Sequence, residues 1–159
     1  MNSEFSHSRD FQKALESLSG LEFMQKIAHG ELPQPPMGKT LGFRVVEADS
    51  GKVIVEGEPN SSHYNPIGSV HGGYAATLLD SACGCAVHSM LRADQIYTTL
   101  ELKTAYHRAM TADTGLVRAI GSILSIGRRT AFAKAKLVDA NDKLLASATS
   151  TLLVMERSA

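Results

Sequence analysis

The sequence predicts an α+β protein: a six-stranded antiparallel sheet wrapped around one long central helix, with an extra helix at the N-terminus. Three observations carry this. Patterned segments run in the order helix, two strands, long helix, four strands. Short polar or glycine turns separate consecutive strands, which pairs neighbours antiparallel. The long apolar segment 72–91 is rich in small residues, among them Ala75, Ala76, Ala82, Gly84 and Ala86. Small side chains let a sheet curl closely around a helix.

In order, Phe11, Leu15, Leu18, Leu21, Phe23, Met24 and Ile27 fall at helical spacing and predict a helix over 9–29, with Gly20 a point where it can split in two. Pro33, Pro35 and Pro36 end it. Residues 41–48 and 52–58 read as strands joined by Asp49-Ser50-Gly51, and 59–70 as a polar loop. Segment 72–91 is too long for a strand. Strands over 96–107, 114–125, 129–139 and 143–155 follow, with turns at Thr111–Thr114, Ser125–Arg128 and Asp139–Asp142. Residues 1–38 form an N-terminal helical extension and 39–157 the main domain.

A chain of 159 residues favours one domain. With 43% hydrophobic and 20% charged residues it is not a disordered chain. Sixteen basic and sixteen acidic residues cancel, so no global basic field marks a nucleic-acid binder. No apolar run is long enough to span a membrane, and MNSEFSHSRD has no apolar core for a secretory signal. Cys83 and Cys85 are too few and too close for a disulfide framework, which suggests the cytoplasm.

Asp80 is the only formal charge between Glu58 and Arg92. A carboxylate in the middle of a buried helix is costly or shifts its pKa upward. Either Asp80 meets solvent or caps a neighbouring loop, or it is a catalytic group tuned by a low-dielectric site. The helix entry, Asn65-Pro66-Ile67-Gly68-Ser69-Val70-His71-Gly72-Gly73, is the second feature. Paired glycines allow close approach to the backbone, and the first helical turn has free N–H groups and partial positive charge. Together these suit an oxyanion. The alternative is that Asn65 and His71 only satisfy loop backbone. Gly72 and Asp80 are separated by ~12 Å along a helix, too far to share one reacting carbonyl. A site using both needs two antiparallel copies of the helix, and so an obligate dimer.

These residues resemble the hotdog-fold thioesterases of the phenylacetate-degradation (PaaI-like) type, within the 4-hydroxybenzoyl-CoA thioesterase-like superfamily. The likeness covers roughly residues 40–155. It rests on the N-P-x-G-x-x-H-G-G motif ahead of Asp80, on strand 98–110 and on Gly127-Arg128-Arg129-Thr130-Ala131-Phe132. Ala109-Met110 departs from the Pro-Ala usual in relatives.

The resemblance implies hydrolysis of an acyl-CoA thioester with no cofactor, coenzyme A being part of the substrate. Catalytic roles would fall to Asn65, His71, Gly72, Asp80 of the other subunit and Thr99. Substrate contacts would come from Gly73, Thr98, His107, Arg108, Gly127, Arg128, Arg129 and Thr130. The arginines suit phosphates, although solvated turn charge reads equally well for each. His107 is expected on the strand face of Thr99. The implied partners are a second copy, as a homodimer or dimer of dimers, with no nucleic acid and no membrane.

No metal site is read from the sequence. Cys83 and Cys85 point about 200° apart on a helix, and Cys85 with His88 gives only two ligands. Two other readings stay open: a hotdog dehydratase or hydratase, and a non-catalytic acyl-CoA-binding protein.

Overall fold

A computed structural model describes residues 9–157; the reading of residues 1–8, including most of the stretch inspected for a secretory signal, lies outside the described residues. The elements are α1 (Arg9–Ser17), α2 (Gly20–Ala28), α3 (Pro36–Leu41), β1 (Phe43–Asp49), β2 (Lys52–Gly57), α4 (Gly72–His88), β3 (Gln95–Tyr106), β4 (Val117–Ile126), β5 (Thr130–Asp139) and β6 (Leu144–Glu156). The six strands form one antiparallel sheet in the order β1-β2-β4-β5-β6-β3. β3 makes the edge opposite β1: it pairs with β6 and not with β4, the sequence neighbour expected beside it across the Thr111–Thr114 turn, because residues 107–116 carry the chain past β6 and β5 to β4.

The sheet wraps α4, and the small residues show how closely. A Cβ on Gly121 of β4 would sit 2.1 Å from the Ala82 carbonyl oxygen of α4. Only a glycine lets strand and helix backbones meet there. Leu78, Leu79, Ala82, Cys83 and Val87 of α4 are buried in one core with Val53, Val55, Val117, Leu137 and Leu152 of the strands.

The segment expected as one helix over 9–29 divides, as Gly20 suggested. Ser19 caps α2, its side chain accepting the Glu22 N–H while Glu22 reaches back to the Ser19 N–H. Gly20 is packed, not merely permissive. Its N–H donates to the Leu91 carbonyl at 2.9 Å, and a Cβ there would overlap the His88 carbonyl oxygen at 1.7 Å. Phe23, Met24 and Ile27 then enter the same core as α4.

The prolines do more than stop a helix. Pro36 begins α3, where its missing N–H costs nothing, and Gly42 ends it with φ 66°. β1 consequently starts at Phe43 rather than 41. β4 starts at Val117, because residues 112–114 form a 3₁₀ turn and Gly115 turns the chain with φ 67°.

A bulge in β3 has the largest effect on the site. Thr99 pairs with Leu152, but Glu101 pairs with Thr151, so Leu100 is an extra residue. Thr99 shares the helix-facing side with Leu152. Beyond the bulge that side passes to Leu102, Thr104 and Tyr106, opposite Ser150, Ala148 and Ala146.

Candidate active site

His71 is the N-cap of α4. Its Nδ1 accepts the Gly73 N–H at 2.8 Å. The ring's proton is then on Nε2 when the side chain is neutral. The Gly72 N–H, by contrast, meets no acceptor among the described residues. The helix thus begins with one free N–H, at the positive end of its dipole. Tyr106 covers it from β3. Its hydroxyl donates to the Gly72 carbonyl at 3.2 Å, and its ring stands 3.1 Å from where a Gly72 Cβ would be.

Asn65 serves its own loop. Its Oδ1 accepts the Ile67 N–H at 3.1 Å and the Ser69 N–H at 3.3 Å, and its Nδ2 donates to Ser69 Oγ at 3.1 Å. The loop is held to the helix entry by His71 N–H to the His63 carbonyl, 2.8 Å, and by the His63 ring stacked on Tyr74. Asn65 therefore positions the approach to Gly72, and its side-chain acceptor is committed to the loop.

A cavity of about 340 Å³ opens beside Gly72, lined by Tyr106, His107, Arg108, Met110 and Leu145 among others. His107 is not on the face of Thr99. The bulge gives that place to Tyr106, and His107 lies past the strand end with Nε2 2.8 Å from Ser147 Oγ. It still lines the cavity. The Arg108 guanidinium donates to the Leu144 carbonyl at 2.7 Å. Met110, at the position that departs from the family pattern, is buried, and its carbonyl accepts the Val70 N–H at 2.9 Å.

Asp80 lies further along α4, half-buried, and Oδ1 accepts the Thr99 hydroxyl at 3.1 Å. Thr98 points away. It pairs with Leu153 on the outer face and is exposed, so the chain does not bring this expected substrate contact together with Asp80 and Thr99. The hairpin turn Gly127–Thr130, closed by Gly127 N–H to the Thr130 carbonyl, sits at the Asp80 end of the sheet, since Ala131 pairs with Leu152 and Leu152 with Thr99. Arg128 and Arg129 are exposed there beside a cavity of about 380 Å³, with no ion-pair partner among the described residues. Thr130 pairs with Leu153, on the outer face with Thr98.

The candidate residues therefore fall into two groups on one chain. The free N–H, His71, Tyr106 and the 340 Å³ cavity stand at one end of α4; Asp80, Thr99 and the arginine turn stand at the other. The thiols near Asp80 are quiet. Burial, with Asp80 adding to it, pushes the Cys83 and Cys85 thiols up to about 12. No three His, Cys, Asp or Glu side chains converge as a metal site among the described residues. None of the described helices is long and apolar enough to cross a membrane.

Sequence reading missed two contributors. Tyr106 was hidden by the bulge. Tyr97 faces α4 where Gly84 leaves room: a Gly84 Cβ would stand 2.6 Å from its hydroxyl. An aromatic residue opposite a mid-helix glycine was the available signal.

Among curated proteins, the chain is 29% identical over 119 residues to a 1,4-dihydroxy-2-naphthoyl-CoA hydrolase of Listeria monocytogenes, covering 75% of this chain and 95% of that protein. Among solved structures it resembles a mutant of the phenylacetic acid degradation protein PaaI from Thermus thermophilus, with TM-score 0.68, 29% identity and coverage of 75% and 98% of the two chains. The Escherichia coli PaaI protein shares the fold, with TM-score 0.73, 22% identity and coverage of 90% and 97%. The Thioesterase superfamily model matches residues 67–146, which runs from the loop before Gly72 through Asp80 and Thr99 to β6. With that match across half its length and a hotdog sheet around α4, the chain belongs to the Thioesterase superfamily, as a thioester hydrolase.

Proposed function

We propose that the chain hydrolyses an acyl- or aryl-CoA thioester to the free acid and coenzyme A, at a site completed by two subunits. The observation that carries this is the separation of the free Gly72 N–H from the Thr99-held Asp80 by eight residues of α4, ~12 Å. In a two-fold dimer with antiparallel α4 helices, the Gly72 end of one protomer meets Asp80 of the partner subunit. β3 is an edge strand, and edges of this kind pair with a second copy. Larger assembly, as a dimer of dimers, is compatible with this arrangement.

In that site the Gly72 N–H takes the negative charge that develops on the thioester oxygen. Asp80 acts as general base for the attacking water, or as nucleophile on the carbonyl carbon, in which case water then hydrolyses the acyl–Asp80 anhydride to the free acid and restores the carboxylate. The C–S bond breaks and the thiolate leaves. Its pKa, about 8.5 on the cysteine scale, makes a strong general acid unnecessary. The chemistry needs neither metal nor redox cofactor. Arg128 and Arg129, exposed and unpaired at the Asp80 end, suit the phosphates of coenzyme A. Two similar proteins are named for aromatic acids, so aromatic acyl-CoA thioesters are the first substrates to assay.

The test mixes Asp80→Asn subunits with Gly72→Pro subunits. Proline fits position 72: it is the first helical residue, and His71 before it is already extended, with φ −61° and ψ 135°. It removes only the proposed donor, at the cost of a small shift of the exposed Tyr106 ring. Each variant alone should be nearly inactive in a thiol-release assay. Heterodimers should regain about half of wild-type activity, because one of their two sites carries neither change. Confirmed heterodimers with no recovery would exclude the shared site.

A further inference from the structure

The geometry points to a second binding site on the outer face of the sheet, for a phosphorylated small molecule of the nucleoside phosphate class. The sheet face turned away from α4 holds a cavity of about 670 Å³, within the roughly 300–1,000 Å³ typical of small-ligand sites. Strand register builds it. Lys134 of β5 pairs with Thr149 of β6, and Thr149 pairs in turn with Lys103 of β3, so two lysines flank one threonine across three strands. Lys136 stands two residues from Lys134 on the same face, about 7 Å along the strand. Lys103 lies two strands from Lys134, about 10 Å away.

Like charges this close on one face repel each other and destabilise the sheet. Elsewhere on this face cations are matched: Arg44 with Glu56, Lys52 with Glu47, Arg118 with Asp142. Lys103, Lys134 and Lys136 have no ion pair among the described residues. Glu101, the carboxylate nearest to Lys103 along β3, instead accepts the Thr151 hydroxyl at 3.3 Å. Three unmatched ammonium groups on flexible arms over one concavity suit a ligand with at least two negative charges. Ile120 and Leu144 in the same lining provide an apolar floor for a flat ring, so a bare anion would leave that surface unused. Ser147, also in the lining, contacts His107 of the cavity beside Gly72, so the two cavities adjoin at the β3–β6 edge.

Such a phosphate has two sources: a free nucleotide, or the nucleotide end of a coenzyme A substrate. The second source rests on the proposed thioesterase reading; the binding site itself does not. The experiment is calorimetric titration of the full chain with ADP, with adenosine as the probe lacking phosphate. ADP should bind and adenosine should not. The Lys103→Ala/Lys134→Ala/Lys136→Ala variant should bind ADP at least about tenfold more weakly, the loss expected from a single charge-assisted contact. The same three positions changed to arginine should keep binding. Lys134→Gln, at the centre of the patch, replaces the triple variant should that not fold.

No ADP binding by the wild type, equal binding by the alanine variant, or equally tight adenosine would overturn the site. None of these readouts uses catalysis, so they stand apart from any failure of the thioesterase reading. Two kinetic outcomes, each in support, assign the source. A raised KM for a CoA thioester in the alanine variant, with KM for a pantetheine thioester unchanged, makes the substrate's own nucleotide the occupant. Unchanged KM for both, with ADP bound by the wild type, makes it a free nucleotide.

Discussion

Lowering the pH from 7 to 4 should cost the fold about 3 kcal/mol through His88 alone. The ring sits near the C-terminal end of α4, edge-on to Phe23 at 5.3 Å and tilted against Tyr97 at 5.9 Å. Burial there, with the nearby Arg157 cation adding to it, holds its pKa down at about 4 against an ordinary 6.5. The unfolded chain therefore takes up the proton first. Stability from this group is complete above 6.5, falls as the pH drops through the window, and levels off below about 4. At 1.36 kcal/mol per pH unit the loss is about 2 kcal/mol by pH 5 and about 3 by pH 4. His88→Phe keeps an aromatic ring between Phe23 and Tyr97 and cannot be protonated. Urea unfolding of both proteins at pH 7, 5 and 4, at one fixed protein concentration, isolates the effect, because the carboxylates common to both cancel in the difference. Wild type and variant losing stability in parallel would refute the assignment.

Three other substitutions probe separate parts of the structure. Asp80→Asn keeps size and packing but removes the base, so kcat should fall roughly 10²–10⁴-fold with the melting temperature unchanged or raised; a melting loss with most of the rate retained would make Asp80 structural. Gly20→Ala forces a Cβ into the His88 carbonyl, so α2 must move from α4, at a cost of about 1–3 kcal/mol in a denaturant titration. An unchanged midpoint would mean that α2 is not held there. Arg128→Ala with Arg129→Ala should raise KM for CoA thioesters and leave pantetheine thioesters alone, and equal loss on both would assign the turn to folding.

The central helix and its two chemical features are legible because they are local. Asp80 stands out as a charge in an apolar run, and His71-Gly72-Gly73 as a cap and entry. Short turns give the β1–β2, β4–β5 and β5–β6 pairs, but not the place of β3, which pairs with β6 at the sheet edge and not with β4, its neighbour in sequence. What is not legible depends on partners far along the chain. Leu100 sits in an unbroken run of strand-forming residues and betrays no bulge, so alternation alone assigns His107 to the wrong face and overlooks Tyr106. The break before α2 does carry a signal, Ser19 with Glu22 three residues on, but the leucines on either side read as one continuous helix. The role of Gly20 appears only when the His88 carbonyl is placed against it. Asn65 belongs to a recognisable motif, yet its acceptor is turned inward by Ile67 and Ser69, which the motif does not encode.

The extra residue at Leu100 works as slack in β3. Deleting it would set Thr99 and Glu101 side by side, opposite Leu152 and Thr151, and every side chain from Glu101 to Tyr106 would keep its face of the sheet. The strand would lose only the local bend and twist that a bulge brings. An added residue has no such outlet. Inserted after Glu101, with the pairing to β6 kept, it would transpose Leu102 to Tyr106 between the two faces. Lys103 would be driven against α4, while Tyr106 would swing off the Gly72 carbonyl and leave the helix entry open. Between Thr99 and Tyr106 the strand is built with room to lose a residue and none to gain one.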